Sequence, residues 1–277
     1  MTEFSGRADP DRILPLLWRH RTARQARTGR PPKLTVDAVV AAAIAIADED
    51  GLGATSMARL AARLEVATMT LYTYVPSRAE LVDLMVDDVL AARSLPGPGE
   101  PRPADWRDQV LLYAERTRAA YVAHPWLAQV STVRPPIGPG HLAEREYVLS
   151  TVASLGLAPR RVDEAALAIA GFVASAARFD AENAQLLRAS GQSTDAWWGR
   201  RTRLWEDYFE AAEHPTMNML WTAGGFDRGT VEQARDAFAF GLRALLDGIE
   251  AAAQPNDAPV STETASRRPV SGDLQGR

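Results

Sequence analysis

A short stretch from Thr68 to Val75, TMTLYTYV, combines hydroxyl and methyl groups without a single charge. If it is helical, Leu71 and Val75 lie four residues apart and form its strong inward anchors. The side chains left outside are Thr68, Met69, Thr70, Tyr72, Thr73 and Tyr74. Hydroxyls can hydrogen-bond to phosphates, and side chains near a helix N-terminus can reach base edges in the DNA major groove. The stretch therefore predicts a recognition helix.

The two tyrosines of this stretch cannot both be inward. Tyr72 and Tyr74 are two residues apart, and on an α-helix such residues point roughly 200° from each other. We expect at least one ring to be exposed to solvent or to contact the DNA backbone. The alternative is that both rings pack at the junction with the first helix of the domain. Arg78, just beyond, could meet a phosphate alongside backbone N–H groups.

Capping signals indicate the helices that must position this stretch. Thr35 is a good N-cap for a first helix, which Gly51 ends. Ser56 can cap a second short helix. Ser77 and Glu80 form a Ser-x-x-Glu capping box for the helix that follows the recognition helix. Helix, tight turn and short helix together are typical of a helix-turn-helix.

Charge is distributed unevenly along the chain. The net charge is −4, yet the segment between Trp18 and Lys33 contains six basic residues and no acid, so that the remainder sums to −10. The basic residues are Arg19, Arg21, Arg24, Arg27, Arg30 and Lys33. We expect residues 1–33 to be a largely unstructured basic arm, with Arg27, Arg30 and Lys33 near phosphates. A solvated tail with no nucleic-acid role is the alternative.

Breakers divide the remaining chain. A segment rich in proline and glycine, 94–105, separates a DNA-binding domain at 34–93 from a helical domain at 105–252. In the second domain we predict helices at about 106–123, 126–133, 141–155, 162–189, 195–213 and 228–252. No segment has the period-two pattern of a strand, so the predicted fold class is all-α. Residues 253–277 are expected to be a disordered tail.

Composition excludes several classes of chemistry. The chain has no cysteine, which excludes disulfides, thiolate metal sites and cysteine nucleophiles, and its four histidines are scattered. We predict no metal and no cofactor. No apolar run approaches the roughly 20 residues of a membrane-spanning helix, and no signal peptide is recognisable, so we expect a cytoplasmic protein with no membrane partner.

About fifty residues of the N-terminal part resemble the TetR family of bacterial transcriptional regulators: TVDAVVAAAIAIADEDGLGATSMARLAARLEVATMTLYTYVPSRAELVDLM. The resemblance implies a three-helix DNA-binding domain whose short helix enters the major groove. It implies that Thr68, Met69 and Thr70 meet bases. It further implies contacts to the DNA backbone or groove edges from Ser56, Met57, Tyr72, Tyr74 and Arg78.

Three positions depart from the family pattern. Glu65 stands where the turn usually has Gly, and Ala67 where it often has a capping Ser. A left-handed non-glycine residue costs roughly 1 kcal/mol, and a missing cap costs about as much, so we expect a looser turn. Ala58 stands where some relatives carry a base-reading Arg, so base preference cannot be transferred from a relative.

The second domain resembles the C-terminal domain of the tetracycline repressor, chiefly in WRDQVLLYAERTRAAYVAHPWLAQVSTVRPP. This implies a ligand-binding domain that dimerises through its last helices as a four-helix bundle. The candidate effector-binding residues are Tyr113, Thr117, Trp126, Ser131, Arg134 and Phe172. Ser131 replaces a metal-binding His of the repressor, and a hydroxyl does not replace an imidazole ligand. We therefore expect a small apolar or aromatic effector rather than a magnesium–drug complex.

The last predicted helix carries a broad apolar stripe that a second copy of the chain could cover. Its members are Val231, Ala234, Phe238, Leu242, Leu245, Leu246 and Ile249. Burial within one protomer is the alternative, but palindromic DNA is read by symmetric pairs, which favours a homodimer.

Three functions compete at this point. The favoured one is a ligand-responsive repressor that leaves a palindromic operator when a small molecule binds. An all-helical enzyme is the second, but no nucleophile or phosphate-loop motif is present. His141 and Glu144, three residues apart, lack further ligands and are interpreted as a surface contact. A structural DNA-binding protein without an effector is the third.

Overall fold

The computed structural model describes residues 2–22 and 34–253 and confirms the all-α class. The first half contains α1 (Pro10–Leu17), α2 (Arg19–Thr22), α3 (Val36–Asp50), α4 (Met57–Arg63), α5 (Thr68–Tyr72) and α6 (Arg78–Ala92). The second half contains α7 (Trp106–Ala123), α8 (Pro139–Ala153), α9 (Pro159–Ser190), α10 (Thr194–Gly199), α11 (Pro215–Thr222) and α12 (Thr230–Ala253). Among the described residues, 3₁₀ turns lie at Leu52–Ala54 and Pro125–Gln129.

The predicted caps of the DNA-binding domain are present. The Thr35 hydroxyl accepts from the Ala38 amide at 3.1 Å, and the Ser56 hydroxyl accepts from the Arg59 amide at 3.2 Å. Ser77 caps α6 through the amide of Ala79, at 3.1 Å. These bonds satisfy amides that the helices leave without partners in their first turns. The box at α6 differs from the usual form, because the Ser77 hydroxyl donates to the Glu80 carboxylate.

Residues 1–33 were predicted to be largely unstructured, and this is wrong for their first two thirds. Asp9 caps α1 through the Asp11 amide, and Pro10 occupies the first helical position, where its missing N–H costs nothing. Ile13 and Leu17 are buried in the same core as α3 and α6. Residues 10–17 thus form a packed helix. Arg27, Arg30 and Lys33 lie outside the described residues, as does the predicted tail from residue 254 onward.

Two strands of two residues each were also not predicted. Strand β1 (Glu3–Phe4) pairs in parallel with β2 (Val130–Ser131), with Glu3 opposite Val130 and Phe4 opposite Ser131. A strand of two residues has no alternation to detect, which explains why the period-two search missed it.

Two helix predictions in the second domain need correction, and one helix there was not predicted. The segment 126–133 is a 3₁₀ turn followed by β2. The segment 195–213 divides into α10 and a π-helical turn, Leu204–Tyr208. Helix α11 was missed because Pro215 was interpreted as a breaker, whereas proline at the first helical position starts a helix.

The described chain has two hydrophobic cores. One contains the DNA-binding helices together with α1, and it continues into the second domain through Trp126, Leu127 and Val130. The other lies among α7, α8, α9 and α12. The DNA-binding helices therefore rest on the second domain over a shared apolar surface. No helix in residues 2–22 and 34–253 is long and apolar enough to cross a membrane.

Candidate nucleic-acid interface and ligand cavity

Helix α5 is anchored from one side only. Leu71 and Val75 are fully buried, as their four-residue spacing predicts. Met69 is 75% exposed and Tyr72 is 41% exposed, whereas Tyr74 is half-buried against the core. One ring is therefore outward and the other inward, which is the outcome that the angular argument requires.

The turn before α5 places a non-glycine residue in the left-handed conformation, at the position where the family pattern has Gly. Glu65 has φ of 54°, in the left-handed region that favours glycine. The amide of Val66 returns to the carbonyl of Ala61 at 3.0 Å and closes the turn. Ala67 precedes α5 without a side-chain cap.

The remaining predicted DNA contacts differ in accessibility. Thr70 and Ser56 are exposed, and Thr68 and Met57 are half-buried, with Met57 packed against the core. Ser56 uses a lone pair as the cap of α4, which leaves its hydroxyl hydrogen available to a phosphate oxygen.

Arg78 has an internal role that the sequence did not indicate. Its guanidinium donates to the carbonyl oxygens of Thr55 and, at 3.0 Å, of Leu52, and it pairs with Glu3 at 3.4 Å. These contacts hold the 3₁₀ turn that leads into α4. Arg78 could contact a phosphate only if its guanidinium left these carbonyl oxygens. We therefore assign Arg78 a positioning role instead.

A cavity of about 500 Å³ lies between α6, α7, α8 and α9. Most of its wall is apolar, including Val86, Leu90, Leu127 and Val148. Cavities of this size commonly bind small molecules. Of the six predicted effector residues, Tyr113 and Thr117 line this cavity.

The other four predicted residues lie outside the cavity wall. Trp126 is 1% exposed, and its indole N–H donates to Asp48 of α3 at 2.8 Å. Phe172 stacks on Phe238, with 5.6 Å between ring centroids. Ser131 and Arg134 flank cavity residues in the chain, but their carbonyl oxygens accept from the Ser5 hydroxyl. Aromatic or polar type alone did not indicate which way these residues face.

A buried ion pair forms the polar part of the wall. The side chain of Arg93, at the end of α6, is 2% exposed and faces Glu144 of α8, with 2.9 Å between Nη2 and Oε2. Arg93 Nη1 donates to the Thr117 hydroxyl at 2.8 Å, and the Tyr113 hydroxyl donates to Glu144 Oε1 at 2.7 Å. Nη2 has no well-aligned hydrogen bond, although it is close to the carboxylate.

Electrostatics keeps this pair charged. Burial disfavours the carboxylate of Glu144, but Arg93 and the Tyr113 hydroxyl outweigh it and hold the Glu144 pKa below its usual value. Burial and the adjacent Glu144 raise the pKa of Tyr113, which therefore stays protonated. Burial lowers the pKa of His141, so this side chain is neutral at pH 7. The wall thus offers donors from Arg93 and acceptors from Glu144 in a mostly apolar space.

Sequence reasoning missed Arg93 and misinterpreted His141 and Glu144, all of which line the cavity. A signal existed for two of them. Arg93 follows Val86 and Leu90 at seven and three residues, and Glu144 precedes Val148 by four, so both share an apolar helix face. In the part of the chain that the structure describes, no three His, Asp or Glu side chains are grouped as metal ligands.

Helix α8 is held against α6 by an unusual cap. The carboxylate of Asp87, on α6, accepts from the amides of Gly140 at 3.1 Å and His141 at 2.9 Å. A β-carbon on Gly140 would overlap the carbonyl oxygen of Asp87. The first turn of α8 can therefore approach α6 only because residue 140 has no side chain.

Comparisons with known families cover both domains. Residues 39–85 match the family described as bacterial regulatory proteins, tetR family. Residues 98–253 match the tetracyclin repressor-like C-terminal domain. The two matches fall on the helix-turn-helix and on the helices around the cavity, respectively.

Individual relatives extend these matches over most of the chain. The HTH-type transcriptional repressor DrrR1 of Streptomyces coeruleorubidus is 37% identical over 249 residues, which are 90% of this chain and 88% of the relative. The crystal structure of ActR from Streptomyces coelicolor with actinorhodin is 29% identical, with a TM-score of 0.64, and covers 80% of this chain and 99% of that one. ActR with (S)-DNPA is 28% identical, with a TM-score of 0.61 over 81% of this chain and 100% of that one.

Proposed function

Since this chain belongs to the tetR family of bacterial transcriptional regulators, we propose that it is a repressor released from a palindromic operator by a small molecule in the cavity. The observation that carries this proposal is the placement of α5. Two buried anchors hold it while its uncharged outer face meets solvent, as a helix entering the major groove requires.

A second copy of the chain has a surface on which to dock. Regulators of this family act as dimers, and α9 and α12 of this chain expose large apolar side chains. They include Phe179 and Leu186 on α9, and Val231 and Phe240 on α12, of which Phe240 is 73% exposed. Part of the predicted stripe, Leu242 and Leu246, is buried within the protomer. The dimer face therefore uses neighbouring positions on these helices.

The cavity supports an effector of defined character. ActR, to which this chain is similar, has been solved with actinorhodin and with (S)-DNPA. The wall here is mostly apolar, and its charged side chains are paired: Arg93 with Glu144, and Arg145 with Asp163 of α9. Because Glu144 already neutralises Arg93, a full negative charge on a ligand would meet a carboxylate as well as a guanidinium. We propose an uncharged apolar or aromatic molecule that has both a hydrogen-bond acceptor and a hydroxyl.

Release follows from competition between two arrangements of the dimer. Two recognition helices must match half-sites about 34–36 Å apart. An effector that prefers the arrangement with a different spacing by 1–3 kcal/mol would weaken operator binding about 5- to 150-fold. The enzyme alternative is set aside because the family and its relatives are regulators. The cavity favours the effector-responsive function over a purely structural DNA-binding role.

The direct test is footprinting of the full-length protein on DNA upstream of its own coding sequence. We expect protection of two symmetric half-sites, and loss of protection when an uncharged hydroxylated aromatic is added. The double variant Arg93→Met, Glu144→Leu should bind the operator but respond less to the aromatic. Absence of specific protection at low salt would contradict the proposal.

A further inference from the structure

The first residues of the chain form a strap across the junction of the two domains. We define this N-terminal strap as residues 3–19. On the second domain, the Ser5 amide donates to the Ser131 carbonyl at 3.1 Å, and its hydroxyl donates to the Arg134 carbonyl at 2.7 Å. At the other end of the strap, the Trp18 indole N–H donates to the Ile137 carbonyl at 3.0 Å.

The same strap binds the DNA-binding domain. The Gly6 amide donates to Asp83 of α6 at 2.8 Å, directly beside the Ser5 contacts to the other domain. Arg19 contacts Asp37 of α3 at 2.7 Å and both oxygens of Asp88 of α6 at 3.0 Å. Between these points, α1 packs on α6. Adjacent residues of one short segment therefore hold different domains.

The fit at Ser5 and Gly6 is specific. Ser5 is 2% exposed. Gly6 has φ of 68°, and a β-carbon at this position would lie 2.6 Å from the carbonyl oxygen of Arg134. Only glycine combines this backbone conformation with so close an approach. Phe4, in the same strand, is 52% exposed and uses only its backbone for pairing, so that its side chain adds little to the attachment.

The two attachment points of the strap lie next to the cavity wall and next to the helix-turn-helix. On one side, Ser131 and Arg134 bracket Thr132 and Val133, which line the cavity. On the other side, Glu3 pairs with Arg78, whose guanidinium holds the Leu52 carbonyl just before α4. A continuous series of polar contacts thus links the cavity wall to the helix-turn-helix without passing along the core of α6.

We propose that the N-terminal strap is a positioning element, which fixes the orientation of the DNA-binding domain relative to the cavity wall. It acts through Ser5 and Gly6, outside the segments matched by the two family descriptions. The consequence for operator affinity rests on the proposed function, whereas the fixed orientation does not. A strap that only covered the apolar core would stabilise the fold without constraining the orientation.

The orientation can be measured directly because the chain has no cysteine. Cysteines introduced as Ala62→Cys on α4 and Ala153→Cys on α8, both exposed, would carry spin labels on the two domains. Labelled full-length protein is diluted into unlabelled protein, so that pulsed electron resonance reports distances within one protomer. The test variants are Gly6→Val and Ser5→Ala, and Phe4→Ala is the matched control. Circular dichroism verifies that each variant is folded.

We expect one narrow distance distribution for the parent and for Phe4→Ala. Ser5→Ala should broaden the distance distribution, and Gly6→Val should broaden it about twofold or shift its maximum. The reason is that a two-domain junction without the attached strap samples more orientations. Distributions as narrow as the parent in both test variants would overturn the proposal. If Gly6→Val fails to fold, Ser5→Ala alone decides, because loss of one hydroxyl leaves the backbone pairing intact.

Operator binding gives a second readout that a purely stabilising strap would not change. The parent should discriminate against an operator whose half-sites are one base pair further apart, and Gly6→Val should discriminate less, by about fivefold. Equal discrimination in folded Gly6→Val would count against the positioning role. Absence of operator binding in the parent would refute the proposed function, and the spin-label distances would still decide the role of the strap.

Discussion

At the scale of single residues, the two tyrosines of the Thr68–Val75 stretch have different surroundings. Tyr72 is exposed beside Met69, whereas Tyr74 packs against the core. An exposed phenol on the DNA-facing side can donate to a phosphate, and a hydrogen bond to a charged group is worth about 1.5–3 kcal/mol. The sequence showed that both rings could not be inward, but the choice between them depended on how α5 packs on the helices before it.

Tyr72→Phe is expected to weaken operator binding by about tenfold or more, in line with the loss of one charged hydrogen bond. Tyr74→Phe is the matched control, since it removes the same atom from a half-buried ring. Fluorescence anisotropy with a labelled operator at fixed salt measures both. Equal affinities for the parent and Tyr72→Phe would remove the phosphate contact from the proposed interface.

Asp83 links pH to stability at the strap. Burial raises its pKa to about 6; the Gly6 amide opposes this shift and Glu80 adds to it. Because the folded pKa is above the usual value of 3.8, the contribution of Asp83 to stability is complete below about pH 4 and is lost as pH rises through 6. Asp83→Asn keeps an acceptor for Gly6 and removes the charge.

We therefore expect Asp83→Asn to stabilise the protein at pH 8 by up to about 3 kcal/mol, and to have much less effect at pH 4. Urea unfolding at the two pH values measures the difference, and Glu115→Gln, at an exposed site, is the control. A gain that is the same at both pH values would show that burial of the charge is not its cause.

At the scale of elements, α6 organises the protein through polar contacts on successive turns. Asp83 holds the strap, Asp87 caps α8, and Arg93 pairs with Glu144 across the cavity. Apolar spacing was sufficient to predict α6, yet none of these partners could be predicted from it. Each partner is a backbone amide or a side chain more than forty residues away in the chain, and local periodicity carries no information about such pairs.

Arg93→Met is expected to destabilise the protein by about 3–5 kcal/mol, because it leaves Glu144 buried without a counter-charge. The double variant Arg93→Met, Glu144→Leu should recover most of that loss, since an apolar pair of similar volume often replaces a buried ion pair at little cost. Chemical denaturation of the single and double variants gives the coupling. If the loss of unfolding free energy in the double variant equalled the sum of the losses in the two single variants, the pair would not interact as described.

The extent of prediction from sequence differs between the two sites. The orientation of α5 followed from Leu71 and Val75, and the caps of α3 and α4 followed from Thr35 and Ser56, because these signals act within one or two helical turns. The cavity depends on contacts between distant helices. There, resemblance to a relative identified Tyr113 and Thr117, but it misplaced Ser131 and Arg134, whose carbonyl oxygens face Ser5 instead.

At the scale of the whole molecule, an acidic protein must approach a polyanion. The net charge is −4, and the exposed Arg59 and Arg63 of α4 are paired with Asp50 and Glu49 of α3. We therefore expect long-range attraction to DNA to come from the basic residues before Leu34. Phosphate contacts release counterions from DNA, so each one steepens the dependence of affinity on salt.

Replacing Arg27, Arg30 and Lys33 together by alanine is expected to reduce the slope of log affinity against log salt by about 2–3. Sequence preference should be nearly unchanged, since phosphate contacts do not read bases. Replacing Arg160, Arg161 and Arg200, all exposed on the second domain, removes the same charge as a control. A slope that falls equally in both variants would show that net charge, rather than the arm, sets the salt dependence.

The close approach of α8 to α6 at Gly140 also bears on how this protein tolerates mutation. Because any side chain there would overlap the backbone of α6, the site has no acceptable replacement, although it lies away from the DNA-facing helix and outside the cavity wall. Random mutagenesis scored only by loss of repression would thus recover changes at Gly140 alongside those at Tyr72. The genetic map of the regulator should show a sensitive position in the middle of the chain, whose phenotype stems from helix spacing rather than from either ligand.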